Sequence, residues 1–161
     1  MEKNQSRITR VCGALNCAKA NYLVIGGVAC ILHGYARATD DIAILIERTE
    51  TNAKRVLNAL ANVGYGFARE WNPSEILRKP ITVIGDDPRV DIFTVAWKVK
   101  YEQVVANAGS AVVDSVRIPL ISLDDLIETK RTGRLQDAGD IEVLEDGRKA
   151  RVDQRPGLVT P

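Results

Sequence analysis

The chain has almost no charge of either sign to spare: 22 basic against 21 acidic residues in 161 leave a formal net charge of +1. That excludes a global field of the kind that attracts nucleic acid or anionic membrane regardless of detail, so any polyanion must be bound locally. No apolar run comes near the roughly 20 residues that a membrane span requires, and the polar start Met1-Glu2-Lys3-Asn4-Gln5 has no targeting character. No membrane partner is expected. Cysteine is sparse and odd in number. Cys12, Cys17 and Cys30 lie in apolar contexts without zinc-ligand spacing, which argues against disulfides and for buried thiols in a reducing, cytoplasmic compartment. The one histidine, His33, reads as a packed or capping group, and the two tryptophans, Trp71 and Trp97, as packing residues. Gly26, Gly27 and Gly34 miss the dinucleotide-binding fingerprint, because the third small residue falls too late.

What is present is enough apolar content, 45%, for one core of ordinary size. Ile8, Val11, Cys12, Leu15 and Ala18 recur at three- and four-residue steps and predict an amphipathic helix. Tyr22 to Ile25 is a short apolar, partly β-branched run stopped by Gly26-Gly27, which reads as a buried strand entering a tight turn; a short helix from Val28 to Leu32 follows. Ile42 to Ile46 predicts a second strand, and Ala53, Val56, Leu57, Leu60 and Ala61 a second long helix with Gly64 as its stop. Ile81–Ile84 and Val90–Phe93, separated by Gly85-Asp86-Asp87-Pro88, predict a hairpin. A weaker strand is expected from Ala111 to Ile118. Then comes a helix capped by Ser122 with the stripe Leu123, Leu126 and Ile127, and a last helix over Asp137–Lys149. The expected organisation is a single domain over residues 1–150, of α/β or α+β type, with a loosely packed tail over 151–161.

Three features stand together: a Gly-Gly turn after a buried strand, Asp41 at the start of the next strand, and Asp91 inside a later one. Each alone has a plain structural reading: a glycine pair can simply end a strand, and Asp41 can be a solvated strand-end acid. An Asp within the apolar run from Val90 to Phe93 is harder to explain, because a carboxylate on a buried strand costs several kcal/mol unless something pairs it. Glycines let the backbone approach a phosphate, and a helix N-terminus beyond them offers unpaired N–H donors. Carboxylates on neighbouring strands can hold a hard divalent ion against that phosphate. The combination points to phosphoryl or nucleotidyl transfer.

The order Ile25-Gly26-Gly27, thirteen residues, then Asp41-Ile42-Ala43, followed later by Val90-Asp91-Ile92, resembles the signature of the polymerase-β-like nucleotidyltransferase superfamily. His33-Gly34, Arg37, Thr39, the stretch from Ile118 to Ile127, Lys130, Gly133-Arg134, Asp137 and Asp140-Ile141 are similar to the small bacterial nucleotidyltransferases of the abortive-infection type, some of which are toxins. The resemblance spans Tyr22 to Leu144. It implies an α+β fold with helices packed on a mixed β-sheet, and transfer of a nucleoside monophosphate from a Mg²⁺- or Mn²⁺-bound nucleoside triphosphate to a hydroxyl of RNA, protein or a small molecule. It implies an antitoxin as partner where such a protein works as a toxin. Asp41 and Asp91 would be metal-binding and catalytic, with Lys130 on phosphate and Asp137 orienting it; Gly26, Gly27, Arg37 and Thr39 would contact the nucleotide.

One position departs from the pattern. Residues i and i+2 of a strand face the same side, so an acid at position 43 would share a metal pair with Asp41; here a methyl group stands in its place. Adjacent Asp40 should point away. Weak binding of at least one ion and low or absent turnover are expected, with Asp41 and Asp91 facing each other beside the glycine turn and the Ala43 methyl directed into the same space. A catalytically degenerate protein, kept as a nucleotide sensor or protein-interaction module, is the alternative.

Overall fold

The computed structural model describes residues 2–154, with side chains from 7 to 151. Helix α1 (Glu2–Cys17) buries the predicted stripe of Ile8, Val11, Cys12 and Leu15. Strand β1 (Tyr22–Ile25) is buried throughout and runs into α2 (Gly26–Leu32). Strand β2 (Asp41–Ile46) leads to α3 (Glu50–Asn62), whose N-cap Thr49 accepts a hydrogen bond from the Asn52 N–H. Gly64 follows the helix at φ +113, a backbone value that glycine adopts without steric cost. A 3-10 turn over Gly66–Glu70 and the short α4 (Pro73–Leu77) precede the predicted hairpin of β3 (Ile81–Ile84) and β4 (Arg89–Phe93). Helix α5 (Tyr101–Val104) leads to β5 (Gly109–Val113) and β6 (Val116–Leu120). The chain closes with α6 (Leu123–Thr129) and α7 (Leu135–Gln154).

The six strands form one mixed sheet in the order β3-β4-β2-β1-β6-β5. Antiparallel pairs (β1 with β2, β3 with β4, β5 with β6) alternate with parallel ones (β2 with β4, β1 with β6). The α+β architecture expected from the sequence is thus present. Side chains alternate across a sheet, so the register assigns each residue to a face. Ile42, Ile44 and Ile46 of β2 align with Val90 and Ile92 of β4 and are buried. The opposite face carries Asp41, Ala43 and Leu45 beside Arg89, Asp91 and Phe93, and continues to Val83 and Ile81 of β3. That second face opens to solvent towards the edge, where Val83 is 48% exposed.

Several local expectations are corrected. The single strand expected from Ala111 to Ile118 is two strands joined by a tight turn, in which Asp114 (φ 48) and Ser115 (φ 68) both take left-handed conformations. Two positive φ values suit the twist of a two-residue hairpin, and no glycine marked it in the sequence. Trp71 packs against the core, but Trp97 is exposed at φ +59. The last helix starts at Leu135 and extends through Gln154. The Arg151 guanidinium, 4.7 Å from the Tyr35 ring centroid, stacks there. Of the expected tail, residues 155–161 lie outside the described residues. Among the described residues no helix is long and apolar enough to cross a membrane.

Ser122 behaves as its sequence context predicts: its Oγ accepts from the Asp125 N–H at 3.1 Å and donates to the Asp125 carboxylate at 2.9 Å. Ser122→Ala should therefore destabilise the protein by about 1 kcal/mol, read as a lower urea midpoint with an unchanged m-value.

Candidate functional site

Between β1 and α2 the backbone turns at Gly26, whose φ of +69 disfavours any side chain. A Cβ on Gly26 would lie 3.0 Å from the Ala43 Cβ, and one on Gly27 would lie 2.8 Å from Thr39 Cβ and Oγ1. The glycine pair therefore lets Ala43 and Thr39 close directly onto the turn. Ala43 points its methyl into this space, as the strand period requires.

The acids are offset by one step. In the β2–β4 register Asp41 stands opposite Arg89, and Ala43 stands opposite Asp91. The two carboxylates share a face but do not pair; Arg89 spans them. Its Nη2 lies 2.6 Å from Asp41 Oδ2 and 3.2 Å from Asp91 Oδ2, and its Nε is 3.0 Å from Asp91 Oδ1. The Nε contact is an ion pair outside hydrogen-bond alignment, so Asp91 Oδ1 is buried without a hydrogen bond. The Asp91 side chain is 10% exposed, against 40% for Asp41. Burial pushes the Asp91 carboxyl above the usual carboxylate range. The Arg89 hydrogen bond and charge oppose this, and the Asp41 charge adds to it.

Arg37, Thr39 and Asp41 line one cavity of about 230 Å³, together with exposed Asp40 and with Val28, Ile31 and Ile42. Thr39 Oγ1 also donates to the Asp41 carbonyl at 3.3 Å. Lys130, at the C-terminus of α6, is only 7% exposed. Its Nζ donates to Asp140 Oδ2 at 2.9 Å, and Arg37 Nη1 donates to the same oxygen. Burial alone would raise the Asp140 carboxyl, but the hydrogen bonds and charges of Lys130 and Arg37 outweigh it and hold the group below the usual range. Asp137, expected to orient Lys130, instead accepts from Thr132 Oγ1 and from Arg134 Nε, the latter at 2.7 Å, and so ties down the α6–α7 connection. His33 Nε2 donates to the Ile121 carbonyl at 2.8 Å, a packing role.

Two residues outside the expected set thus enter the site. Arg89 was marked only by lying two positions before Asp91 on one strand, hence on its face. Asp140 lies one helical turn beyond Asp137. As a fit for a divalent cation, the buried Asp91 oxygen without a hydrogen bond and the neighbouring Asp41 offer hard oxygen donors. Among the described residues no cluster of three or more His, Cys, Asp or Glu side chains is placed to hold a metal. Two carboxylates suit one ion whose remaining ligands are water and substrate phosphate, as Mg²⁺ commonly takes, better than a pair of ions.

No family model matches the chain, and no curated protein matches it in sequence. In structure it is similar to an antigenic nucleotidyltransferase-like protein from Paracoccidioides brasiliensis, with a TM-score of 0.58 and 14% identity over 99% of this chain and 92% of that one. It is also similar to a putative nucleotidyltransferase from Thermotoga maritima, with a TM-score of 0.54 and 16% identity over 96% of both chains. At these TM-scores, with nearly the whole of both chains covered, the chain has the nucleotidyltransferase fold.

Proposed function

We propose that this protein binds a nucleoside triphosphate with a divalent cation, Mg²⁺ or Mn²⁺, at Asp41 and Asp91. Its reaction is transfer of a nucleoside monophosphate to a hydroxyl of RNA, protein or a small molecule, slowed by the absence of an acid at position 43. The observation that carries this reading is Asp91: a buried carboxylate with one oxygen outside any hydrogen bond, beside the Gly26-Gly27 turn on a sheet face that opens to solvent. Retaining such a group costs stability, which a binding role offsets. A bound cation would neutralise phosphate charge and polarise the attacked phosphoryl group. Asp41 and Asp91 hold it. Arg37 and Thr39, in the cavity that reaches Asp41, meet the triphosphate, while Lys130 acts through Asp140 to fix Arg37 in place.

A second reading, a nucleotide sensor or protein-interaction module without turnover, is favoured by Ala43 itself. Expression as a toxin with an antitoxin partner is a special case of the first reading, tested by whether expression arrests growth.

Calorimetric titration of the four common nucleoside triphosphates in Mg²⁺ or Mn²⁺ tests the shared premise. At least one should bind, and Asp91→Asn should weaken it about tenfold or more. If none binds under either ion, both nucleotide-based readings fail. Transfer of α-labelled nucleotide to a cellular acceptor separates enzyme from sensor.

A further inference from the structure

Arg89 holds a place that the proposed chemistry needs for something else. It leaves β4 on the same face as Asp91, and the parallel register sets it directly opposite Asp41. Its guanidinium therefore lies against both carboxylates at once, with contacts of 2.6, 3.0 and 3.2 Å. These are the two side chains proposed above as cation ligands. The charge balance points the same way. With alanine at position 43, the two carboxylates and one guanidinium leave a single net negative charge on this face, where a third acid would have added another. The Arg89 side chain is also 47% exposed and so has solvent to swing into, while that of Asp91 is 10% exposed.

We propose that Arg89 is the resident counter-cation of this site. It offsets half of the charge of Asp41 and Asp91 when no metal is bound, and it must swing off them before a divalent ion can bind. The site then takes one ion, in competition with its own arginine. The displaced guanidinium is a planar donor fork suited to phosphate oxygens, so the same residue that opposes a bare ion can meet a metal-bound triphosphate. The inference rests on Asp41 and Asp91 being the cation ligands.

The test is Mn²⁺ alone, titrated into the full chain at neutral pH and low salt, with free ion read by electron paramagnetic resonance. Arg89→Gln should bind Mn²⁺ about tenfold more tightly than wild type, since it removes the unit charge that the ion must displace from the two carboxylates. Arg89→Lys, which keeps the charge, should stay near wild type, and adding Asp91→Asn to Arg89→Gln should abolish the gain. Circular dichroism of each variant confirms the fold. If wild-type binding is lost in Asp91→Asn but Arg89→Gln binds no more tightly than wild type, the cation site stands and the competition is overturned. If neither wild type nor Arg89→Gln binds Mn²⁺ at millimolar concentration, the carboxylates are not cation ligands and the underlying assignment fails as well.

Discussion

Asp140→Asn should lower stability by about 3 kcal/mol at neutral pH, among the largest losses expected from any single substitution outside the apolar core. Lys130 is almost fully buried, and its ammonium donates to Asp140, which also accepts from Arg37. Asparagine preserves the shape and one acceptor oxygen but removes the charge that balances two cations. Breaking one side of a buried pair is costly because the other side stays buried and uncompensated. For a chain of this length the loss corresponds to a drop in melting temperature of about 6–12 °C.

The pH dependence gives the effect a signature. Asp140 is held below its ordinary value in the folded state, so its contribution is complete above the unfolded value near 4 and fades as pH falls through the folded one. The stability difference between wild type and Asp140→Asn should therefore shrink in acid. Asp91, raised by burial, works in the opposite sense: it favours folding in acid and loses that advantage as pH rises through its folded value. Comparing wild type with the Asp140 variant cancels this common background. Urea unfolding at pH 7 and at stepwise lower pH measures the difference, and a gap that is absent at pH 7, or constant with pH, would remove the charge argument.

Ala43→Asp is the second substitution with a large expected effect, on binding more than on stability. Position 43 stands opposite Asp91 and shares its face with Asp41, so the new carboxylate completes three acids around one space. Gly26 carries no Cβ to obstruct it; a Cβ there would have stood 3.0 Å from that of Ala43. Adding a charged carboxylate that touches the ion directly should raise Mn²⁺ affinity by about a hundredfold, at the upper end of what even indirect ligand contacts contribute. In metal-free buffer the same variant should be less stable by about 1 kcal/mol, since like charges directly opposite on paired strands repel. Mn²⁺ should reverse that loss, so a melting series with and without the ion reads both halves of the prediction. Unchanged Mn²⁺ affinity in a folded variant would mean that residue 43 does not face the cation. Nucleotide transfer appearing with the new acid would tie Ala43 to turnover.

Ile25-Gly26-Gly27 and the alternation Ile42, Ile44, Ile46 could be read without coordinates because strand period and glycine backbone freedom are local properties. The same holds for the Ser122 cap, whose partner is three residues away. The hairpin turn at Asp114-Ser115 was hidden, although local, because its left-handed residues are not glycine. Asp91 stood out through the mismatch between its charge and its apolar neighbours, and its burial agrees. The offset of Asp41 and Asp91 could not be seen, because it depends on how β2 and β4 slide against each other. Nor could the choice of Asp140 over Asp137 as the partner of Lys130, which depends on how α7 lies along α6.

Most of the longer elements, the glycine turn, the faces on which Asp41, Ala43 and Asp91 fall, and the missing acid could be read from the chain, since each follows from periodicity or chemistry within a few residues. Tertiary structure alone decided which charges meet. Arg89 reaches Asp41 across 48 residues and Arg37 reaches Asp140 across 103. Contacts at such separations are set by strand register and helix docking, which arise from burial summed over the whole core and leave no local mark on the chain. For that reason the gap at Ala43 was legible as a lost ligand, but the arginine lying between the two remaining acids was not.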